Sequence, residues 1–146
     1  MEQELLMSIK TRYANQIFKG TKVYEYRRKS IGDKNCNKKI YIYSSEEDNM
    51  IVGYIIVDKI LKGDLDYIEK STGNLNTDSR RKYFEGCDIC YALHINEYHR
   101  FNNPIKLTDV KFVVPQFYRY IKKDEPLYKI LKDRVWKKLN FMLLCI

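Results

Sequence analysis

Nowhere in this chain is there an apolar run long enough to cross a bilayer. The longest, Phe141-Met142-Leu143-Leu144-Cys145-Ile146, falls far short of the roughly 20 residues a span needs. It reads as a buried or partner-facing end, and a homodimer through this apolar C-terminus is the expectation it supports. Cysteine is sparse as well: Cys36, Cys87, Cys90 and Cys145 are too irregularly spaced for a disulfide framework, and no charged, apolar and cleavable leader pattern opens the chain. The expectation is a reducing compartment, a cytoplasmic protein and no membrane partner. Repeats, low-complexity tracts and linkers are lacking too. With 146 residues and 45% hydrophobic content, that predicts a single domain over 1–146.

Histidine is nearly absent, and the two present, His94 and His99, follow Cys87-x-x-Cys90. A structural zinc site needs four converging ligands, whereas this string lies mostly on one predicted strand and spreads its ligands along an extended chain. No metal and no cofactor are expected. No helix follows the C-x-x-C pair to lower a thiol pKa, which argues against a redox site. His94 and His99 have the chemistry of a ribonuclease acid and base, but an ordinary half-buried histidine is the commoner case at a strand position.

What the chain does have is positive charge and phenol rings. Lys and Arg number 27 against 19 Asp and Glu, for a net charge of +8, and 13 Tyr and 6 Phe stand among them. Excess cations favour a polyanionic partner, and flat rings beside them are the means by which single-stranded RNA is stacked and held. Tyr, Lys, Ile and Asn also rise together in any A/T-rich genome, so composition alone carries limited weight.

Patterning supplies the elements. Leu5-Leu6-Met7-Ser8-Ile9 suits a buried strand, and Thr11 stands at an N-cap position before Tyr13, Ala14, Ile17 and Phe18 at helical spacing. Gly20 stops that helix. From Lys22 to Arg28 the residues alternate, placing Val23, Glu25 and Arg27 on one strand face. Lys39 to Ser44 reads as a strand, and Met50 to Leu61 as a longer one with a bulge or close backbone approach at Gly53. Two short helices are expected between Asp64 and Phe84, with Leu65, Ile68 and Leu75 on one side. A strand follows at Ile89–Ile95, and the sheet is expected to end at Asn102-Asn103-Pro104. Beyond a loop from Pro115 to Pro126, Leu127, Ile130, Leu131 and Val135 define one face of an amphipathic helix.

Taken together, Ser8-Ile9-Lys10, Tyr13-Ala14, Ile17 and Gly20-Thr21-Lys22 followed by Glu25 and Arg27-Arg28 form a pattern that resembles the ASCH family. The resemblance is a strand ending Ser-Ile-Lys, one helix, then Gly-x-Lys-x-x-Glu-x-Arg, and it extends over residues 5–121 through Val52-Gly53-Tyr54, Tyr91-Ala92-Leu93 and Pro115-Gln116-Phe117. It implies an α+β, PUA-like small β-barrel of about five to six strands flanked by helices, with a cleft beside the barrel and residues 122–146 as a C-terminal helical extension. It also implies a ligand: RNA, other single-stranded nucleic acid, or a modified nucleoside. Some members of the family are ribonucleases, and others deacetylate N-acetylated cytidine. The deacetylating members match at Lys22 but carry a threonine nucleophile where Glu25 stands, so their triad is not carried over.

The resulting reading is binding of RNA or a modified nucleoside through a basic cleft, with Lys10, Tyr13, Lys22, Glu25, Arg27, Tyr43 and Ser44 as candidate ligand-binding residues. The alternative is a metal-independent ribonuclease or nucleoside amidohydrolase in the same cleft, with Lys22 and Glu25 in acid–base roles. An ion pair between Glu25 and Arg27 that merely fixes the sheet is the competing structural reading. The clusters Arg80-Arg81-Lys82, Lys122-Lys123 and Lys137-Lys138 extend a phosphate track only where they fall on the cleft side.

Overall fold

The computed structural model describes residues 3–74 and 78–144, with side chains described as far as residue 137. The apolar C-terminal run, and with it the surface expected to form a homodimer, lies outside the described side chains, as does Leu75. The elements in order are β1 (Leu5–Lys10), α1 (Thr11–Phe18), β2 (Tyr24–Arg27), β3 (Lys39–Ser45), β4 (Met50–Gly63), α2 (Leu65–Thr72), α3 (Asp78–Tyr83), β5 (Cys90–Lys106), β6 (Tyr118–Tyr120) and α4 (Pro126–Leu144). One six-stranded sheet runs β2-β5-β4-β3-β1-β6, with β1 and β3 parallel and every other pair antiparallel.

The sheet is apolar on both faces because it is covered on both. Ile40 and Ile42 of β3 join Leu5, Met7 and Ile9 of β1 in one cluster that takes in Ala14 and Ile17 of α1. The alternating residues Tyr41 and Tyr43 face the other way, with Leu6, Phe101 and Ile105, and are capped by Leu127 and Leu131 of α4. Double burial is why β1 reads as a continuous apolar run rather than an alternating one. Leu127 and Leu131, essentially unexposed, each contribute about 1.5–3 kcal/mol by leaving water and so pin α4 to the sheet.

Bulges curl this sheet into a half-barrel. Pairing shifts between Ile51 and Gly53, again between Ile56 and Lys59, and in β3 between Ile42 and Tyr43. Gly53 lies at such a shift, where a Cβ would come within 2.2 Å of the His99 carbonyl oxygen and 2.9 Å of the Arg100 Cα. The close backbone approach expected there is real. The sheet does not, however, end at Asn102-Asn103-Pro104, because β5 continues to Lys106. Ile51 pairs with Ile105 and Gly53 with Arg100, so residues 101–104 stand across from Val52 alone and the missing N–H of Pro104 costs no ladder bond.

Two further expectations are corrected. The segment from Pro115 to Pro126 is not all loop, since Tyr118–Tyr120 pairs with Leu5–Met7 as an edge strand. Thr11 is the first helical residue rather than the cap, and its hydroxyl donates to the Ser45 carbonyl at 2.8 Å while accepting from Ser44 Oγ at 2.9 Å. It ties α1 to the end of β3 instead of to its own first turn.

Helices α2 and α3 form as expected, α2 being capped by Asp64, whose carboxylate accepts from the Tyr67 amide at 2.8 Å. Ile68 and Phe84 of this arm pack with Cys90 and Ala92 of β5 and against Tyr24 and Tyr26 of β2. That packing brings the arm over the edge strand β2.

Candidate functional site

Strand β2 pairs on one side only, with β5, and a cleft opens along its free edge. The sequence reason is local. At Gly20, φ is +80° and the helix α1 ends, with the Gly20, Thr21 and Lys22 amides all turned back onto Ile17 and Gln16 carbonyls. The chain therefore re-enters the sheet one turn later, with Lys22 at the strand entry facing Tyr13 of the helix it has just left. The cleft, about 840 Å³, lies between α1, β2 and the α2–α3 arm.

Its centre is an ion-paired triad. Glu25 is buried, and its Oε2 accepts from Arg27 Nε at 3.0 Å and lies 2.9 Å from the second guanidinium nitrogen, while Oε1 lies 3.6 Å from Lys22 Nζ. Arg27 also donates to the Ser8 carbonyl at 2.7 Å and lies over the Phe117 ring, so it bridges β2 to the end of β1 across the open side of the half-barrel. Lys22 is nearly as buried, its ammonium 5.3 Å from the Tyr13 ring centroid and 5.0 Å from that of Tyr26. Burial is the largest influence on Lys22 and pushes its pKa below the ordinary 10.5; Glu25 works against this, and Arg27 and Arg80 add to it.

Of the residues singled out from sequence, Lys10, Tyr13, Lys22, Glu25 and Arg27 all line this cleft. Lys10 sits at the exposed rim, 3.5 Å from Glu46. Tyr43 and Ser44 do not line it. Tyr43 is buried against Phe112 on the α4 side of the sheet, and Ser44 is fully buried, its hydroxyl oxygen 2.9 Å from Thr11 Oγ1 and 2.8 Å from the Asp48 carboxylate. The histidines are elsewhere too: His94 Nδ1 meets Asp58 at 2.6 Å, and His99 stacks on Tyr54. Among the described residues no group of three or more His, Cys, Asp or Glu gathers as a metal site, and no helix is long and apolar enough to cross a membrane.

The α2–α3 arm adds residues that the strand pattern did not single out. Asn74, Ser79, Arg80, Lys82 and Tyr83 line the wall opposite α1. The charge run Arg80-Arg81-Lys82 was the available signal, and the helix divides it: Arg80 and Lys82 line the cleft, while Arg81 pairs with Glu69 and is half exposed. Among the described residues, Lys10, Arg12, Lys22, Arg27, Arg80 and Lys82 line the cleft with one carboxylate, Glu25, and four tyrosines, Tyr13, Tyr24, Tyr26 and Tyr83.

A curled six-stranded half-barrel with helices packed against it is the PUA-like fold. The ASCH domain model matches residues 7–110, and the chain belongs to that family. Among curated proteins it is similar to the ASCH domain-containing ribonuclease of Zymomonas mobilis, 27% identical over 131 residues, covering 84% of this chain and 87% of that one. Among solved structures, ASCH from Zymomonas mobilis superposes with a TM-score of 0.75 at 23% identity, covering 88% of this chain and 94% of that one. The N-terminal domain of Staphylothermus marinus McrB has the same general fold, with a TM-score of 0.57 at 12% identity over 92% of this chain and 98% of that domain.

Proposed function

We propose that this chain binds single-stranded RNA in the cleft between α1, β2 and the α2–α3 arm. The observation that carries the reading is the lining itself: among the described residues it holds six cations and one carboxylate, which two of the cations engage, while Glu46 and Glu69 pair with Lys10 and Arg80 from outside the lining and four phenol rings stand between. Such a surface attracts phosphates by charge and bases by stacking, and it needs no particular sequence to do so. At about 840 Å³ the cleft also suits a single nucleotide unit lifted out of a stack, which keeps a modified nucleoside as the narrower form of the same reading.

Lys22 is the residue on which the reading turns. Its ammonium stands between Tyr13 and Tyr26, where a base on either ring brings its phosphate within reach. Losing one charged hydrogen bond to a phosphate costs about 1.5 kcal/mol or more, roughly tenfold in affinity. The test is fluorescence anisotropy of wild type and Lys22→Gln with single-stranded RNA, single-stranded DNA and N-acetylated cytidine at two salt concentrations. The expected result is RNA binding that falls steeply with salt and is at least tenfold weaker in the variant. Salt-insensitive binding, or equal affinities for the two proteins, refutes it.

A second reading, cleavage of the bound RNA, draws on the name of the Zymomonas relative and on the burial that lowers the Lys22 pKa. Product from wild type that Lys22→Gln does not form supports it. A homodimer through the apolar C-terminus and a cytoplasmic location complete the proposal, the first tested by whether the mass in solution rises with concentration.

A further inference from the structure

Arg80 is the least expected member of the cleft. Its side chain is 8% exposed, lies over the Tyr26 ring at 5.0 Å, gives one terminal nitrogen to the Asn74 carbonyl and faces Glu69 at 3.7 Å. Its Nε–H has no acceptor, and among the described residues it is the one buried side-chain nitrogen or oxygen left without a hydrogen bond. A buried donor of this kind is rare in a folded protein and calls for an acceptor that the described residues do not supply.

The surroundings say what that partner is. Arg12 lies over Tyr13 at 4.6 Å, Lys22 stands near both Tyr13 and Tyr26, and Arg80 covers Tyr26, so cations and rings alternate across the cleft from α1 to α3. Tyr26 is held in place by Asn74, whose side-chain amide donates to its hydroxyl at 2.6 Å. The α3 wall contributes Lys82 beside Arg80 and no carboxylate to the lining. A guanidinium N–H held rigid beside a fixed ring, with a second cation near, suits a tetrahedral oxyanion attached to a flat base.

We infer that Arg80 is a phosphate ligand and that the cleft selects a phosphate-bearing nucleotide unit over a free nucleoside. This rests on the RNA reading and sharpens it by adding a phosphate contact on the α3 wall to the cations of the α1 side. Arg80→Gln keeps a polar side chain but loses the charge and the fork. Arg80→Lys keeps the charge and loses Nε, and serves as the control for folding and for charge alone.

The experiment titrates uridine and uridine monophosphate, and a short oligouridylate with one linkage at a time made neutral as methylphosphonate, against wild type and both variants. Wild type is expected to bind the monophosphate at least tenfold more tightly than uridine, a preference that shrinks in Arg80→Gln and shrinks less in Arg80→Lys. One neutral linkage is expected to weaken wild type but not Arg80→Gln, whose salt slope falls by about 0.7, one phosphate contact on a single strand. If the oligomer binds but its salt slope and linkage profile are the same in wild type and Arg80→Gln, Arg80 is no phosphate ligand and the RNA reading survives without it. If the oligomer fails to bind yet the monophosphate preference is present and depends on Arg80, the inference stands and the RNA reading falls. Equal binding of uridine and its monophosphate, or binding of neither, overturns the inference.

Discussion

Neutralising Glu25 tests the frame of the cleft most directly. Glu25→Gln conserves volume but leaves Lys22 and Arg27, only 14% and 16% exposed, facing one another without the charge between them, and turns an amide toward donors that need an acceptor. Removing one partner from a fully buried pair costs about 3–5 kcal/mol. Partial exposure of the two cations screens some of this, so the expected loss is about 2–3 kcal/mol. For a chain of this size that is a fall in Tm of roughly 5–10 °C. The pH dependence adds a signature. The folded pKa of Lys22 lies below its unfolded value, so the associated stability is fully present above 10.5 and lost as pH falls through the folded value. Glu25 raises that pKa, and its removal drives it lower still, so stability in Glu25→Gln climbs with pH over a wider alkaline range than in wild type. Urea midpoints across pH, with a double-mutant cycle against Arg27→Met, measure both effects. A loss under about 0.5 kcal/mol with no coupling to Arg27 would show a solvated carboxylate and would refute the triad as the frame.

Other elements make separate predictions. Gly53→Ala drives a Cβ into the β5 backbone at 2.2 Å and is expected to destabilise by about 3 kcal/mol or to prevent folding, which a thermal melt reads; a neutral result means that the strands do not approach as described. Arg119 holds Glu125 in a two-bond fork at 2.9 Å, tying β6 to the start of α4, and this contact outweighs burial to keep the carboxyl below its ordinary 4.5. Its stabilising effect is present above 4.5 and lost as pH falls through the lower folded value, so the acid-side slope of the urea midpoint is expected to flatten in Glu125→Gln. Tyr41→Phe removes a fully buried hydroxyl that donates to Glu4 at 3.2 Å and is expected to cost about 1 kcal/mol by urea melt, Glu4 keeping its contacts with Lys39 and Lys132.

The sequence was most legible where one physical pattern decides structure. The apolar run of β1 announces burial on both faces, the spacing of Ala14 and Ile17 announces α1, and a lone glycine in the β4 pattern marks the close approach at Gly53. It was least legible where a partner distant in sequence decides. Tyr118–Tyr120 is too short to carry a period and becomes a strand only because the free edge of β1 is there to pair with it. Pro104 argues against a strand locally, and the bulge opposite Val52 that accommodates it is visible only once β4 and β5 are paired. The same holds for the site. Lys22, Glu25 and Arg27 are gathered by short-range strand geometry, whereas Arg80 reaches Tyr26 through the packing of Ile68 and Phe84 on β5. Ser44 ends a strand as binding serines do, yet Thr11 and Asp48 claim its hydroxyl.

The pairing within the cleft also separates binding from cleavage. Transfer within an RNA strand needs an acceptor for the 2′-hydroxyl proton. The one carboxylate in the lining has an oxygen on Arg27 and the other facing Lys22, and no histidine lines the cleft. Apart from the tyrosines, the side chain in the lining able to accept that proton is Lys22 in its neutral form, which burial makes more accessible than for a solvated lysine. A phosphate contact at the same group would need the ammonium. As pH rises through the Lys22 pKa, RNA affinity should therefore fall while the rate of any cleavage of bound RNA rises. Glu25→Gln, by lowering that pKa, should shift both curves toward lower pH together. Affinity and single-turnover rate measured on the same samples across pH read the two slopes. A cleavage rate that falls with the affinity removes Lys22 as the base and leaves it as a phosphate contact alone.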